Sequence, residues 1–235
     1  MDGNTPIYIY RKMRTRSLFM LIVLVAMGAS AQVKKSVSIL GDSYSTFEGF
    51  VTPSTNEMWY YEETRDNTDV DDVTQTWWWR FIKENDYKLC INNSWSGSTI
   101  GYYGYAGNDY SERSFIRRMN HLGNPDLIFI FGGTNDSWAG VPMGEFKYEK
   151  LRQDDFFSYR PALAFLLSQM QKRYPNVELV FLINDGLREE LVSSTKTICD
   201  HYGVSYIQLE NIDKKNGHPT IKGMGQIAEQ IKKGL

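Results

Sequence analysis

Five short apolar segments, separated by stretches with helical periodicity, constrain the fold of this chain more than any other feature. The segments occupy residues 36–40, 88–92, 127–131, 177–183 and 204–209. Polar residues do not alternate regularly within them, which is typical of strands that are buried on both faces in a parallel sheet. The pattern therefore predicts a three-layer α/β/α domain in which right-handed crossovers connect successive strands.

Between these segments, apolar residues recur at helical spacing, and several of the periodic stretches stop at glycine or proline. Helices are predicted at residues 73–82, 115–122, 154–174, 187–202 and 221–231. The chain contains no internal repeat, low-complexity tract or linker, so we expect a single domain after the amino-terminal segment.

The first 31 residues have the features of a secretory signal peptide. Basic residues at 11–16 precede an apolar run at 18–31, which ends in the small-residue pattern Ala29-Ser30-Ala31. The run is shorter than the roughly 20 residues that a spanning helix needs. We therefore predict that residues 1–31 direct export to the periplasm or the extracellular space and are then removed, which leaves no stable membrane insertion. An uncleaved anchor is the alternative.

The charge of the chain bears on its partners. The net charge is -2 at pH 7, and removal of the basic amino-terminal segment makes the remainder more acidic. A mildly acidic domain argues against a nucleic-acid partner.

Four residues with complementary chemistry follow four of the predicted strands. Ser43, Gly97 and Asn135 follow the first, second and third strands, and His218 follows the fifth. In an open parallel sheet, ligands bind outside the carboxyl ends of the strands, so we expect these residues to lie close together. Histidine is a suitable base for a serine nucleophile. The Ser43 and Gly97 backbone N–H groups and the Asn135 side-chain amide would stabilise the oxyanion of acyl transfer.

At these positions the sequence resembles the SGNH/GDSL hydrolase family. The resemblance is carried by Ser43 in "GDSYS", Gly97, Asn135 in "GGTND", and His218, in the family's order. It assigns residues 33–235 to one hydrolase domain. It implies a flavodoxin-like fold with a five-stranded parallel sheet in the order 2-1-3-4-5. It also implies hydrolysis of esters, often acyl groups on carbohydrate and in other members lipids, without a metal or a cofactor.

The sequence departs from the family beside the histidine. The family usually has an aspartate three residues before it, and this chain has Lys215 there. The nearest upstream carboxylate is Asp213, and a turn at "KKNG" would bring it back towards the imidazole. A backbone carbonyl that orients the ring in a Ser-His dyad is an equal alternative. A site that has lost turnover is a third interpretation.

Aromatic residues in predicted loops indicate the substrate class. Trp138, Tyr102 and Tyr103 are candidate substrate-binding residues, and a further cluster lies at residues 59–61. Exposed rings beside polar donors suit a sugar ring, although the loop tyrosines would also pack on one another as a lid. We therefore predict an exported serine esterase that removes acyl groups, in particular acetyl groups, from small-molecule or polysaccharide esters. The alternatives are a lipid or thioester hydrolase and a non-catalytic glycan-binding module.

The two cysteines, Cys90 and Cys199, fall near opposite edges of the expected sheet. A disulfide needs Cα atoms within about 7 Å of each other. We therefore predict two unpaired, buried thiols despite export.

Overall fold

The computed structural model describes residues 34–235. The predicted signal peptide, residues 1–31, lies outside the described residues. Among the helices between residues 34 and 235, none has the length and apolar character needed to cross a membrane.

Five parallel strands form the central sheet. They are β1 (Ser36–Gly41), β2 (Lys88–Ser94), β3 (Leu127–Phe131), β4 (Glu178–Ile183) and β5 (Ser205–Gln208). Their order across the sheet is β2-β1-β3-β4-β5, which confirms the predicted topology. Every residue of β1 and β3 is buried. The strands that lack polar alternation are therefore the ones covered on both faces.

Between residues 34 and 235, six α-helices accompany this sheet, and the longer ones cover its two faces. They are α1 (Trp77–Glu84), α2 (Phe115–Arg118), α3 (Thr134–Trp138), α4 (Tyr159–Arg173), α5 (Glu189–Tyr202) and α6 (Ile221–Gly234). Successive side chains of a strand point to opposite faces. Ile128 and Ile130 therefore pack with α2, α4 and α5, whereas Phe129 and Phe131 pack with α1 and α6. The result is the predicted three-layer α/β/α arrangement.

Three helices differ by more than three residues at one end from the bounds that the sequence predicts. α1 begins at Trp77 and not at residue 73, because Val73–Gln75 form a separate 3-10 helix. α2 ends at Arg118, and residues Gln153–Phe157 form a separate 3-10 helix before α4. The Asp155 carboxylate closes that turn because it accepts the Arg152 backbone N–H at 2.6 Å and the Lys147 ammonium at 2.7 Å. Local polar contacts of this kind keep residues 153–157 out of α4, although the apolar periodicity extends through them.

A small antiparallel hairpin follows β5. Its strands are β6 (Lys214–Lys215) and β7 (His218–Pro219). Asn216 and Gly217 connect them with φ angles of 50° and 77°. Positive φ at both positions is typical of the tight type I′ turn, which favours Asn-Gly. This hairpin holds His218 at the end of the sheet where β1 leads into Ser43.

Both cysteines are unpaired, as predicted. Cys199 is buried in the core, but Cys90 is only partly buried, contrary to the prediction. Cys90 lies on β2, and a strand at the edge of a sheet has one side that no other strand covers.

Candidate active site

Ser43 and His218 form a hydrogen-bonded pair at the carboxyl edge of the sheet. Ser43 begins a 3-10 helix directly after β1, and the Asp42 side chain caps this helix by accepting the Tyr44 backbone N–H at 3.0 Å. His218 Nε2 lies 2.9 Å from Ser43 Oγ. Ser43 is only 2% exposed, and His218 is 7% exposed. The distance lies within the range in which a base accepts a proton from its nucleophile.

A backbone carbonyl holds the other side of the imidazole. His218 Nδ1 lies 3.2 Å from the Asn216 carbonyl oxygen. A carbonyl oxygen only accepts hydrogen bonds, so Nδ1 carries the proton and donates it. Nε2 therefore presents its lone pair to the Ser43 hydroxyl, which is the tautomer that a general base requires.

Asp213, one of the two candidates predicted to orient the ring, makes no hydrogen bond with the imidazole, contrary to its predicted place in the site. Its carboxylate instead accepts a hydrogen bond from the Thr220 hydroxyl. It also lies 3.7 Å from Lys222 Nζ. The hairpin register explains the difference. Lys215 pairs with His218 and Lys214 with Pro219, so Asp213 falls opposite Thr220 at the start of α6.

The environment of His218 favours the neutral base. Burial lowers the pKa of His218 to about 4, and the positive charge of Lys214 acts in the same direction. The hydrogen bond to the Asn216 carbonyl opposes this shift. Trp59 stacks on the imidazole with ring centroids 3.6 Å apart and planes within 7°. The sequence placed Trp59 in an aromatic loop but did not indicate this contact, because the stack joins residues that are far apart in the chain.

Each of the three predicted oxyanion donors keeps an N–H that no group among residues 34–235 accepts. Gly97 has φ of 76°, a left-handed conformation that favours glycine. Among residues 34–235, no protein group accepts a hydrogen bond from the Ser43 or Gly97 backbone N–H. Asn135 Nδ2 donates to the Ser98 carbonyl at 3.0 Å, which places the amide beside the Gly97 loop. An amide nitrogen carries two protons, so one remains available to an oxyanion.

Tyr105 fixes the orientation of that amide. Its hydroxyl donates to Asn135 Oδ1 at 2.8 Å, on the opposite side from the Ser98 contact. Oxygen and nitrogen of Asn135 are therefore each assigned by a partner of the matching polarity. Sequence reasoning missed Tyr105, although it lies between the predicted Tyr103 and the end of the same aromatic loop.

Residues 35–235 match the family described as GDSL-like lipase/acylhydrolase. The chain belongs to this family. It is therefore an ester hydrolase.

Solved structures agree with this assignment. A protein from Bacteroides ovatus described as a GDSL-like lipase is 60% identical, with a TM-score of 0.85 over 86% of this chain and 98% of that one. A second, from Bacteroides uniformis, is 47% identical, with a TM-score of 0.85 over 87% and 96% of the two chains. A carbohydrate acetylesterase from Sinorhizobium meliloti shares the fold at 15% identity, with a TM-score of 0.55 over 85% and 97%. The search of curated proteins returns no match.

One of the three predicted substrate-binding aromatics lies beside the Ser-His pair of this esterase. Trp138 is 46% exposed, and its ring centroid is 5.9 Å from that of His218. Tyr102 instead packs edge-on against Phe156 and Phe157. The Tyr103 backbone bridges to Asp109, and its ring packs against the core.

Within residues 34–235, Tyr102 and Tyr103 make no hydrogen bond or ring contact with the Ser-His pair or the oxyanion amide. The loop folds back on itself at the Tyr103 bridge and presents Tyr105 to Asn135 instead. In the same part of the chain, no group of three or more His, Cys, Asp or Glu side chains is arranged to hold a metal ion.

A buried guanidinium ties together the loops that form the site of the GDSL-type enzyme. Arg118 donates to the Gly41 carbonyl at 3.2 Å and to the Ser98 hydroxyl at 2.9 Å. It also donates to the Asn93 carbonyl at the end of β2. Burial lowers the pKa of Arg118 to about 9, whereas the nearby Asp42 carboxyl favours the charged form. One side chain thereby connects the carboxyl ends of β1 and β2 with the loop that carries Gly97.

Proposed function

We propose that this esterase removes acyl groups, in particular acetyl groups, from carbohydrate through a Ser43–His218 dyad. The observation that carries the proposal is the arrangement of the imidazole. Nε2 lies 2.9 Å from the serine hydroxyl, and Nδ1 lies 3.2 Å from the Asn216 carbonyl. This geometry supplies a nucleophile, a base in the required tautomer and an orienting group without a carboxylate.

The reaction follows from these positions. Ser43 Oγ attacks the ester carbonyl carbon while His218 Nε2 takes the hydroxyl proton. The carbonyl oxygen becomes an oxyanion, which the Ser43 and Gly97 N–H groups and the Asn135 amide stabilise. His218 then gives its proton to the leaving alcohol oxygen, and the acyl group stays on Ser43. His218 Nε2 then takes a proton from a water molecule, and the water oxygen attacks the acyl carbon. The bond between that carbon and Ser43 Oγ breaks, and His218 returns the proton to Ser43 Oγ as the carboxylic acid leaves.

The surroundings of the dyad favour a carbohydrate alcohol. Trp138 is an exposed ring next to the imidazole, and aromatic faces suit the apolar faces of sugar rings. The fold is shared with the acetylesterase from Sinorhizobium meliloti, which is consistent with this substrate class. We further propose export, supported by the basic and apolar pattern of residues 11–31.

A substrate panel tests the proposal. Acetate release is measured from acetylated polysaccharides, and turnover is measured with p-nitrophenyl esters of acetate, butyrate and palmitate. We expect acetyl esters to be preferred and Ser43→Ala to lose at least about a thousandfold in kcat, because the nucleophile is removed. Ser193→Ala, an exposed serine on α5, is the control. Preference for palmitate supports the lipase alternative. A wild type that binds acetylated glycan without turnover supports the binding module.

The same panel tests the substrate platform. Trp138→Ala is expected to raise KM for acetylated polysaccharide severalfold while leaving KM for p-nitrophenyl acetate unchanged. Phe146→Ala is the matched control, because Phe146 is also an exposed ring, at 44%, and packs under Arg160. An equal effect of both substitutions on the polysaccharide would contradict a specific role for Trp138.

A further inference from the structure

Trp59 covers one face of the His218 imidazole. The indole and imidazole centroids are 3.6 Å apart, and the two ring planes differ by 7°. The other neighbouring rings meet His218 at an angle. Tyr44 lies at 5.4 Å with an interplanar angle of 52°, and Trp138 lies at 5.9 Å with an angle of 71°. The parallel stack is therefore a feature of Trp59 alone among these contacts.

Trp59 belongs to a segment, residues 56–60, that we call the strap. The Trp59 backbone N–H donates to the Thr46 hydroxyl at 2.9 Å, and this hydroxyl donates to the Ser43 carbonyl at 2.9 Å. The Tyr60 hydroxyl donates to the Pro219 carbonyl at 3.0 Å. These bonds connect the strap to the nucleophile turn and to the hairpin strand that carries His218.

The strap also reaches the oxyanion loop. The Ser96 backbone N–H donates to the Glu57 carbonyl at 2.9 Å. The Glu57 carboxylate pairs with Arg113 at 2.8 Å. The strap therefore contacts the nucleophile turn, the hairpin strand that carries His218 and the loop that carries Gly97. Contacts with three separate segments hold the Trp59 ring in one position.

The stack lies where the dyad lacks electrostatic support. During acyl transfer His218 becomes an imidazolium, and the group on Nδ1 is a neutral carbonyl instead of a carboxylate. Burial and the Lys214 ammonium both disfavour that charge. Lys214 itself pairs with Asp185. An indole face attracts a cation that lies over it, and tryptophan is the best side chain for this interaction.

We propose that Trp59 is a positioning residue of the Ser43–His218 pair. Its indole face holds the plane of the imidazole and stabilises the imidazolium in place of the missing carboxylate. The proposal rests on the dyad mechanism above. It reassigns Trp59 from the predicted group of sugar-stacking aromatics to the support of the base.

Substitution of Trp59 by phenylalanine and by leucine tests this role. Leucine keeps an apolar wall but removes the ring face, whereas phenylalanine keeps a weaker face. We expect Trp59→Leu to lower kcat for p-nitrophenyl acetate about tenfold, with KM within about twofold, and Trp59→Phe to restore part of the loss. Trp79→Leu on α1, half-buried and away from the dyad, controls for the loss of an indole.

The pKa of His218, measured by NMR, separates this role from a structural one. The chain contains three histidines, so substitution of His121 and of His201 by glutamine assigns the remaining signal to His218. We expect the pKa of His218 to be highest in the wild type, lower in Trp59→Phe and lowest in Trp59→Leu. The difference between wild type and Trp59→Leu should be about 1.

An unchanged or raised pKa of His218 in Trp59→Leu would overturn the proposal, because it would show that the indole does not stabilise the imidazolium. Unchanged kcat in Trp59→Leu would also overturn it. If the leucine variant does not fold, an unchanged or raised pKa in Trp59→Phe has the same meaning. A wild type that hydrolyses no ester would refute the proposed function alone, because the order of the pKa values is read without turnover.

Discussion

The proposed role of His218 as the base depends on two separate properties of its imidazole. Burial lowers its pKa to about 4, so the imidazole is neutral and able to accept a proton at pH 7. The Asn216 carbonyl fixes the proton on Nδ1. Neither property requires a side-chain carboxylate, so a Lys at position 215 is compatible with a complete site.

Asp213→Asn tests whether the carboxylate nearest in sequence takes part. We expect kcat/KM for p-nitrophenyl acetate to stay within a few-fold of wild type, because the Asp213 side chain contacts Thr220 and lies near Lys222. Stability should fall by less than about 1 kcal/mol, because asparagine keeps an acceptor for the Thr220 hydroxyl and only the charge near the exposed Lys222 is lost. His218→Ala provides the reference for a lost base. A decrease of several orders of magnitude in folded Asp213→Asn would show that Asp213 reaches the imidazole in solution.

The sequence contained enough information to locate Ser43, Gly97, Asn135 and His218. Each follows a strand, and parallel strands bring their carboxyl ends to one edge. The sequence does not reveal which group orients His218, because every residue has a backbone carbonyl that could accept the Nδ1 proton. Tyr105 and Trp59 reach the site through loop contacts between distant residues, which no local pattern encodes.

At the level of elements, the β6–β7 hairpin decides the geometry of the base. Its two-residue turn puts the Asn216 carbonyl two residues before His218, within reach of Nδ1. The Tyr44 hydroxyl donates to the Gly217 carbonyl and so ties the turn to the nucleophile helix. The hairpin therefore orients the imidazole of the candidate site as well as connecting β5 to α6.

Gly217→Ala tests the hairpin. Gly217 has φ of 77°, and a Cβ there would lie 3.1 Å from the Trp138 ring. We expect a loss of about 1 kcal/mol in stability and a clear decrease in kcat as the turn moves. Gly203→Ala is matched in backbone strain, because Gly203 has φ of 62°, open space around it and a position at the end of α5. Equal kcat decreases in the two variants, at equal Tm decreases, would show that the turn has no specific role.

The elements that sequence predicted best are the long and strongly patterned ones. The five strands follow from continuous apolar runs, whereas their order was implied only by the resemblance to the family. The two strands of the hairpin could not be predicted, because a strand of two residues has no periodicity. The Asn-Gly pair was a local signal for the turn, but only the register shows what the turn presents.

On the scale of the whole molecule, several ionisable groups are buried together beneath the site. Asp42 and Asp136 are fully buried, and Arg118 is 4% exposed. Burial raises the pKa of Asp136 to about 7, and the nearby Asp42 acts in the same direction. Both oxygens of Asp136 lie 3.1 Å from the Ile100 backbone nitrogen. This contact connects the segment after β3 with the segment after Gly97. The organisation of the site is thereby coupled to the pH dependence of folding.

Asp136→Asn tests this coupling, because asparagine keeps an acceptor for the Ile100 N–H but does not ionise. The pKa of Asp136 is raised from 3.8 to about 7 on folding, so its contribution to stability is complete below the lower value and is lost as pH rises through the upper one. We therefore expect the Tm of Asp136→Asn, relative to wild type, to increase by several degrees between pH 5 and 7, at about 2–4 °C for each kcal/mol.

Asp126→Asn is the control. Its hydrogen bonds from Ser36 lower the pKa of this exposed carboxyl, so its Tm difference should stay constant over that range. A constant difference for Asp136→Asn as well would show that Asp136 is already ionised in the folded protein at pH 5.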